Sequence, residues 1–287
     1  MATKEELFQR KVRQLIKQAN RLEDDAVKRA IRLLADARKE VAATVASTEW
    51  KAYHLPQMKA AIERAMQEFA GKYGTDLRDV QRGFWDQGMD LVDMPLREVG
   101  IIRAIPEIDT AMLSVLQDFS TDLVQGLGRD AIKKISQELS LGLLGEKQPY
   151  DVMKAVGRNL KDKSIFKSLA HRAETITRTE AGRVLEAAGQ ARKEAAATVV
   201  PGLKKQWYYG HSPKMPRLSH LAAAQAYGPG GDPGPIPVNE PFIVEGEALM
   251  YPRDPAGSAK NTINCGCASI PYHEDWDAAT EDIAQSA

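Results

Sequence analysis

The stretch Val199-Val200-Pro201-Gly202-Leu203-Lys204-Lys205-Gln206-Trp207-Tyr208 divides the chain into two kinds of sequence. Residues 1–205 contain 13 Gly and 5 Pro, whereas the much shorter stretch 206–273 contains 8 Gly and 10 Pro. Gly and Pro interrupt helices, so their concentration marks a change of architecture near Pro201-Gly202. Upstream, the apolar residues recur at helical spacing; downstream, the chain reads as turns and short strands. The expected fold is mainly α. A long helical N-terminal region is followed by a small α+β, loop-rich C-terminal module.

Working back from the boundary, a long helix is expected from Ser164, whose hydroxyl caps it, to about Val199. Its run Arg172 to Arg183 is dense in charge and reads as a solvated face with i,i+4 pairing. At the other end of the chain, Thr3 and Glu6 form a capping box. Behind it Leu15, Ala19, Leu22, Ala26, Leu33, Ala37 and Val41 make a narrow Ala-rich stripe out to about Tyr53. A second helix is predicted from Pro56 to Gly71 or Gly74, and further ones over 76–92, 107–125, 129–141 and 150–160. The expected divisions are a helical region over 1–163, a module of one long helix and short strands over 164–273, and a loose acidic tail over 274–287.

Composition narrows the function classes. The 287 residues carry 39 Lys+Arg and 39 Asp+Glu, so the formal net charge is zero. The charge is distributed in blocks: +5 over 1–39, −6 over 40–127, +7 over 128–205 and −6 over 206–287. A dedicated duplex-wrapping protein is usually basic overall, and this chain is not. Any contact with phosphate should instead be weak, blind to sequence and carried by Arg129, Lys133, Lys134, Arg158, Lys161, Lys163 and Lys167. No apolar run reaches the roughly 18 residues of a membrane span. The opening residues read as a charged helix, not a secretory signal. Two cysteines, Cys265 and Cys267, are too few for a disulfide framework and point to a reducing setting.

Few arrangements of residues point to chemistry. Gly142 to Lys147 lacks the spacing of a phosphate loop, and Gly228 to Gly234 is rich in proline with no Lys behind it. A thiolate–imidazole pair of Cys265 and His220 is conceivable but has no orienting third group. The Cys265-Gly266-Cys267 turn admits two readings. It supplies two soft metal ligands, with His220 and either His273 or Asp254 completing a zinc tetrahedron. Alternatively the thiols are small buried residues in a module that needs no cofactor. His54, His171 and His211 read as surface or packing residues. Trp207 and Phe242 should be buried, since this module has few large side chains with which to build a core.

In chain order, Arg178-Thr179-Glu180, Lys205-Gln206-Trp207, Arg217 with His220, Glu240-Pro241-Phe242, Tyr251-Pro252-Arg253-Asp254-Pro255 and Asn264-Cys265-Gly266-Cys267 resemble the phage head morphogenesis family. These are minor head proteins similar to protein F of Mu-type phages. The resemblance covers about residues 165–272. It departs from the family at Gly266, where the family has Arg, and in the Leu221-Ala-Ala-Ala-Gln225 run after His220.

The resemblance implies a non-enzymatic virion component inside the head near the portal. Its implied partners are the portal protein, packaged DNA, and scaffold or major capsid protein, with no membrane. The competing class is a metal- or thiol-dependent enzyme, either a hydrolase or a toxin-like transferase.

Overall fold

The computed structural model describes residues 2–101, 104–210 and 217–276. The elements run α1 (Lys4–Ser47), a 3-10 turn (Ala52–His54), α2 (Leu55–Glu98), α3 (Ala111–Leu143), α4 (Pro149–Val156) and α5 (Ile165–Ala197). After the Pro201-Gly202 boundary come β1 (Lys204–Tyr208), α6 (Leu218–Ala226), β2 (Ile236–Pro237), β3 (Phe242–Val244), β4 (Glu247–Leu249), α7 (Ala259–Thr262) and β5 (Ala268–Tyr272). The chain is mainly helical, with long N-terminal helices followed by a small region of short strands and loops.

The local signals act where they were expected. Thr3 N–H donates to Glu6 Oε2 (2.9 Å) and Glu6 N–H to Thr3 Oγ1 (3.1 Å), closing the capping box of α1. Lys167 N–H donates to Ser164 Oγ (3.2 Å) at the start of α5. The glycines in α2 and α3 do not end helices. α2 continues through Gly71 and Gly74, and α3 through Gly126 and Gly128. Each such glycine costs about 1 kcal/mol relative to Ala. Burial of Met58, Ile62, Met66, Phe69, Tyr73 and Leu77 along one face of α2 outweighs that, at about 1.5–3 kcal/mol per large side chain.

Contacts divide the chain into two compact units. The first contains Met1–Glu23, Gln81–Leu116 and Thr179–Ala287; the second contains Asp24–Val80 and Gln117–Arg178. This is not the contiguous division at 163/164 read from the sequence. Each of α1, α2, α3 and α5 contributes residues to both units.

The second unit is a helical assembly around Leu34, Val41, Ile62, Met66, Leu127, Ile135, Phe166 and Leu169. In the first unit, β1 pairs antiparallel with β5 (Lys204 opposite Tyr272, Tyr208 opposite Ala268) and with β2, giving the order β2-β1-β5. β3 and β4 form a separate hairpin closed at Glu245-Gly246. Both turn residues have positive φ (54° and 81°), as a two-residue type I′ turn requires.

The tail expected to be loose from Glu274 is anchored at its start. Trp276 is buried and stacks on Phe8 with ring centroids 4.5 Å apart. Lys204 Nζ donates to Glu274 Oε1 (2.5 Å). Residues 277–287 lie outside the described residues, as does His211.

Candidate metal centre

The site is built by three short segments that the first unit's sheet brings together. α7 ends at Thr262, and Asn264 follows with φ of 53°, a left-handed conformation that an Asn tolerates. The turn Cys265-Gly266-Cys267 then runs directly into β5, which fixes Cys267 at the strand entrance. Next to β5 lies β1, with Trp207 opposite Ser269. Gly210, just past β1, has no room for a side chain, because a Cβ there would run into the Gly266 carbonyl. From the other side comes α6, carrying His220 in its first turn. Arg217, at its N-cap, donates from Nη2 to the Ile263 carbonyl (2.5 Å) and ties α6 to the cysteine turn.

These elements place His220 Nδ1 3.4 Å from Cys265 Sγ and 3.5 Å from Cys267 Sγ. The Cys267 N–H also points at Cys265 Sγ (3.4 Å). The three side chains are 2%, 1% and 3% exposed, and their ligand atoms all lie within 4.8 Å of one another. Among the described residues this is the group that could hold a metal ion. Aromatic rings wall it in: Trp207 meets His220 edge-on at 5.5 Å and Phe242 at 5.3 Å, and Tyr227 meets Phe242 at 5.0 Å.

The two thiols are shifted in opposite directions. The hydrogen bond from Cys267, followed by those of His220 and the charge of Arg253, hold Cys265 well below the ordinary thiol range, against the opposing effect of burial. Cys267 is pushed up by its hydrogen bond with Cys265 and by burial.

The fourth ligand read from the sequence is absent from this group. Asp254 accepts from Met250 N–H (2.8 Å) and Ala256 N–H (2.9 Å), shaping its own turn. His273 Nε2 bonds the Pro201 carbonyl (2.9 Å). His220 Nδ1 faces the sulfurs, and its Nε2 has no hydrogen-bond partner among the described residues.

The other residues singled out in the sequence are spread over both units. Thr179 Oγ1 accepts from Asn264 N–H (3.1 Å) and braces the cysteine turn. Pro252 is buried in the same unit. Arg178 belongs to the second unit, where it pairs with Asp24 (2.9 Å) and Glu174 (3.1 Å). Glu180 and Arg183 overturn the reading of a solvated face. Both are buried, and Arg183 Nη1 donates to both Glu180 carboxylate oxygens at 2.7 Å, while its Nε meets the Arg253 carbonyl at 3.3 Å. Arg129, Lys133, Lys134, Arg158, Lys161, Lys163 and Lys167 are all exposed on the second unit.

Several buried polar residues of the first unit were not anticipated. Glu186 accepts from Ser269 N–H (2.8 Å), Lys193 donates to the Ser269 carbonyl (2.8 Å), and Lys205 donates to the Met250 carbonyl (2.7 Å). Burial raises Glu186 to about 7 and lowers Lys193 to about 8, each partly countered by the other's charge. One signal for them exists in the sequence. Residues 181–190 include Ala181, Gly182, Ala187, Ala188 and Gly189, and a helix this rich in small residues can be approached closely from several sides. Every residue of that decade is buried. Gly88 of α2 meets the Leu185 carbonyl and Ala188 so closely that a Cβ would clash, and the Arg253 guanidinium occupies the space a side chain at Gly182 would need.

No family model, no curated protein and no solved structure matches the chain.

Proposed function

We propose that the chain is a minor head protein of a tailed bacteriophage or prophage, acting at the portal vertex in head assembly, DNA packaging or DNA delivery. Its C-terminal part is then a non-enzymatic module locked by zinc on His220, Cys265 and Cys267. The observation that carries this reading is the use made of the family-like residues. Thr179, Trp207, His220, Cys265 and Cys267 are scattered over nearly ninety positions, yet all five are buried, and the exposed Asn264 ties Thr179 to the cysteine turn through its N–H. Residues that hold a fold together are buried in this way, whereas a catalytic group has to meet its substrate.

The donor set fits zinc. Two sulfurs and one imidazole nitrogen are soft-to-borderline ligands that suit zinc better than magnesium or calcium. Tetrahedral zinc, with sulfur at about 2.3 Å and nitrogen at about 2.0–2.1 Å, separates the two kinds of ligand by about 3.5 Å. The two nitrogen–sulfur separations, 3.4 and 3.5 Å, match that edge. Bound zinc would hold both sulfurs as thiolates and cross-link α6 to the entrance of β5.

The ligand count supports a second reading, a metal-dependent hydrolase, because catalytic zinc keeps three protein ligands and an open position. Its difficulty is access: Cys265 and His220 are 1% and 2% exposed.

Asymmetric imaging of heads assembled with this chain and the portal protein of the same phage tests the role directly. Density for the chain at the portal vertex is expected; heads that assemble and package normally without it would overturn the proposal. Metal analysis of the purified chain tests the lock, with about one zinc per chain expected. His220→Ala should lower thermal stability and head assembly together.

A further inference from the structure

A pocket of about 70 Å³ lies within the first unit, with Gly266, Cys267 and Ala268 of the cysteine turn and β5 in its lining. One part of its lining is apolar: Leu15, Ile16 and Ala19 of α1, Phe84, Leu91 and Met94 of α2, and Leu185 of α5. The other part is polar: Glu23, Gln87, Asp90, Glu186 and Arg253. At about 10–15 Å³ for each water-sized position, it has room for about five to seven such positions, enough for a small organic molecule.

Its polar groups are not satisfied by the protein alone. Glu186 is 1% exposed, and its Oε2 accepts from Ser269 N–H while its Oε1 has no hydrogen-bond partner among the described residues. The buried Gln87 Oε1 is likewise without a partner. Leaving such an acceptor unpaired costs about 1–3 kcal/mol, so these groups favour an occupant that donates hydrogen bonds. The charge balance points the same way. Three carboxylates line the pocket against one guanidinium, which faces Glu23 at 3.5 Å, while the Lys193 ammonium, outside the lining, offsets part of the Glu186 charge. The carboxylates do not converge closely enough for a metal ion: among the described residues, the group whose ligand atoms come together is His220, Cys265 and Cys267.

We propose that this pocket binds a small primary alkylammonium ion, with the ammonium donating to Glu186 Oε1 and Gln87 Oε1 and the alkyl chain lying against Leu15, Phe84, Leu91 and Leu185. The inference goes beyond the head-protein reading and does not depend on zinc. Arg253 Nε, the one unpartnered donor among these side chains, disfavours the ammonium itself, which places the cationic end toward Glu186 and Gln87.

Calorimetric titration of the full chain with n-butylammonium, n-butyrate and 1-butanol tests the proposal, since the three share size and differ in charge. The ammonium ion should bind at least tenfold more tightly than either of the others. Glu186→Gln keeps an acceptor for Ser269 N–H but exchanges the free carboxylate for a neutral amide, and should weaken binding tenfold or more. Ala19→Leu fills the pocket from α1 and should abolish binding while the thermal midpoint of the ligand-free chain is retained. Butyrate or butanol binding as tightly as the ammonium would overturn the proposal. So would no binding of any probe, or unchanged affinity in both variants.

Discussion

The helix α5 passes through two different interiors. Up to Arg178 it belongs to the second unit, where it buries Phe166, Leu169 and Ala173 at helical spacing and leaves Lys167, Ser168 and His171 exposed. From Thr179 it belongs to the first unit, where charged and apolar residues are buried side by side: Glu180, Arg183, Glu186 and Lys193 among Val184, Leu185 and Ala188. In the first stretch, burial follows amphipathic periodicity. In the second, it is set by what packs around the helix, and each of these charged side chains has at least one hydrogen-bond or ionic partner there. Hydrophobic truncations should therefore affect the two units alike, and charge truncations should affect them differently.

The largest effect should come from Trp207→Ala. Trp207 is 2% exposed and touches both His220 and Phe242, so its removal opens a cavity in the wall of the metal centre. A loss of about 3–5 kcal/mol is expected. Phe166→Ala should cost a similar amount in the second unit, where Phe166 is fully buried. Limited proteolysis with cleavage sites mapped to each unit checks both. If Trp207→Ala were digested like the parent chain, the ring would not be supporting the module.

Next comes the buried ion pair, where the units should part. Arg183→Met takes the guanidinium away from Glu180, a carboxylate only 3% exposed, which should cost about 3 kcal/mol. The double variant Glu180→Leu, Arg183→Met should recover most of that, because it removes the buried charge together with its counter-charge. In the second unit, Arg172 pairs with Asp130 at 2.8 Å, but the two side chains are 40% and 52% exposed. Arg172→Met should cost less than about 1 kcal/mol. Equal losses at Arg172 and Arg183 in denaturant titrations would erase the distinction between the interiors.

That distinction also explains how much could be read from the sequence. The capping boundaries, the Gly/Pro switch at Pro201 and the burial of Trp207 and Phe242 follow from local chemistry, and all were legible. Glu180 and Arg183 were misread because their i,i+3 spacing is equally suitable for an exposed pair; only the packing of Arg253 and its neighbours decides the matter. The continuity of α2 through Gly71 and Gly74 was hidden for a related reason, since tertiary burial outweighs a weak local penalty. At the candidate site, His220 and the two cysteines were identifiable by residue type. Asp254 was not excluded as a ligand, because nothing in the sequence shows that its carboxylate is already used by Met250 and Ala256.

A smaller effect should appear on titration. Burial, followed by the nearby Lys193 charge, lowers Lys205 from an ordinary lysine value to about 7. Between that value and about 10.5 the unfolded chain therefore holds a proton that the folded chain has released, so stability rises with pH across this window. It is fully present above the unfolded value and lost as pH falls through about 7. A slope approaching 1.4 kcal/mol per pH unit is the ceiling for one proton. Lys205→Met should flatten the pH dependence of the denaturation midpoint over this range. An unchanged slope in the variant would show that Lys205 stays protonated through contacts such as the Met250 carbonyl and the face of the Phe242 ring, 4.9 Å away.

The smallest effect on stability, and the sharpest on any DNA contact, belongs to the exposed lysines of the second unit. Lys133, Lys134, Lys161, Lys163 and Lys167 contribute no buried contact, so replacing one with Ala should change stability by less than about 0.5 kcal/mol. If they meet phosphate, each contact releases counterion, and the logarithm of affinity falls against that of salt with a slope of about −0.9 per contact. Lys133→Ala and Lys134→Ala together should reduce the magnitude of that slope by up to about 2, equally on any duplex sequence. Lys193→Met should leave it unchanged, because Lys193 is buried in the first unit and spends its donor on Ser269. Filter binding over a salt series separates these cases. Tight binding that resists salt, or a preference among sequences, would mean that DNA is read by groups other than this exposed lysine set, and the charge blocks would lose their functional meaning.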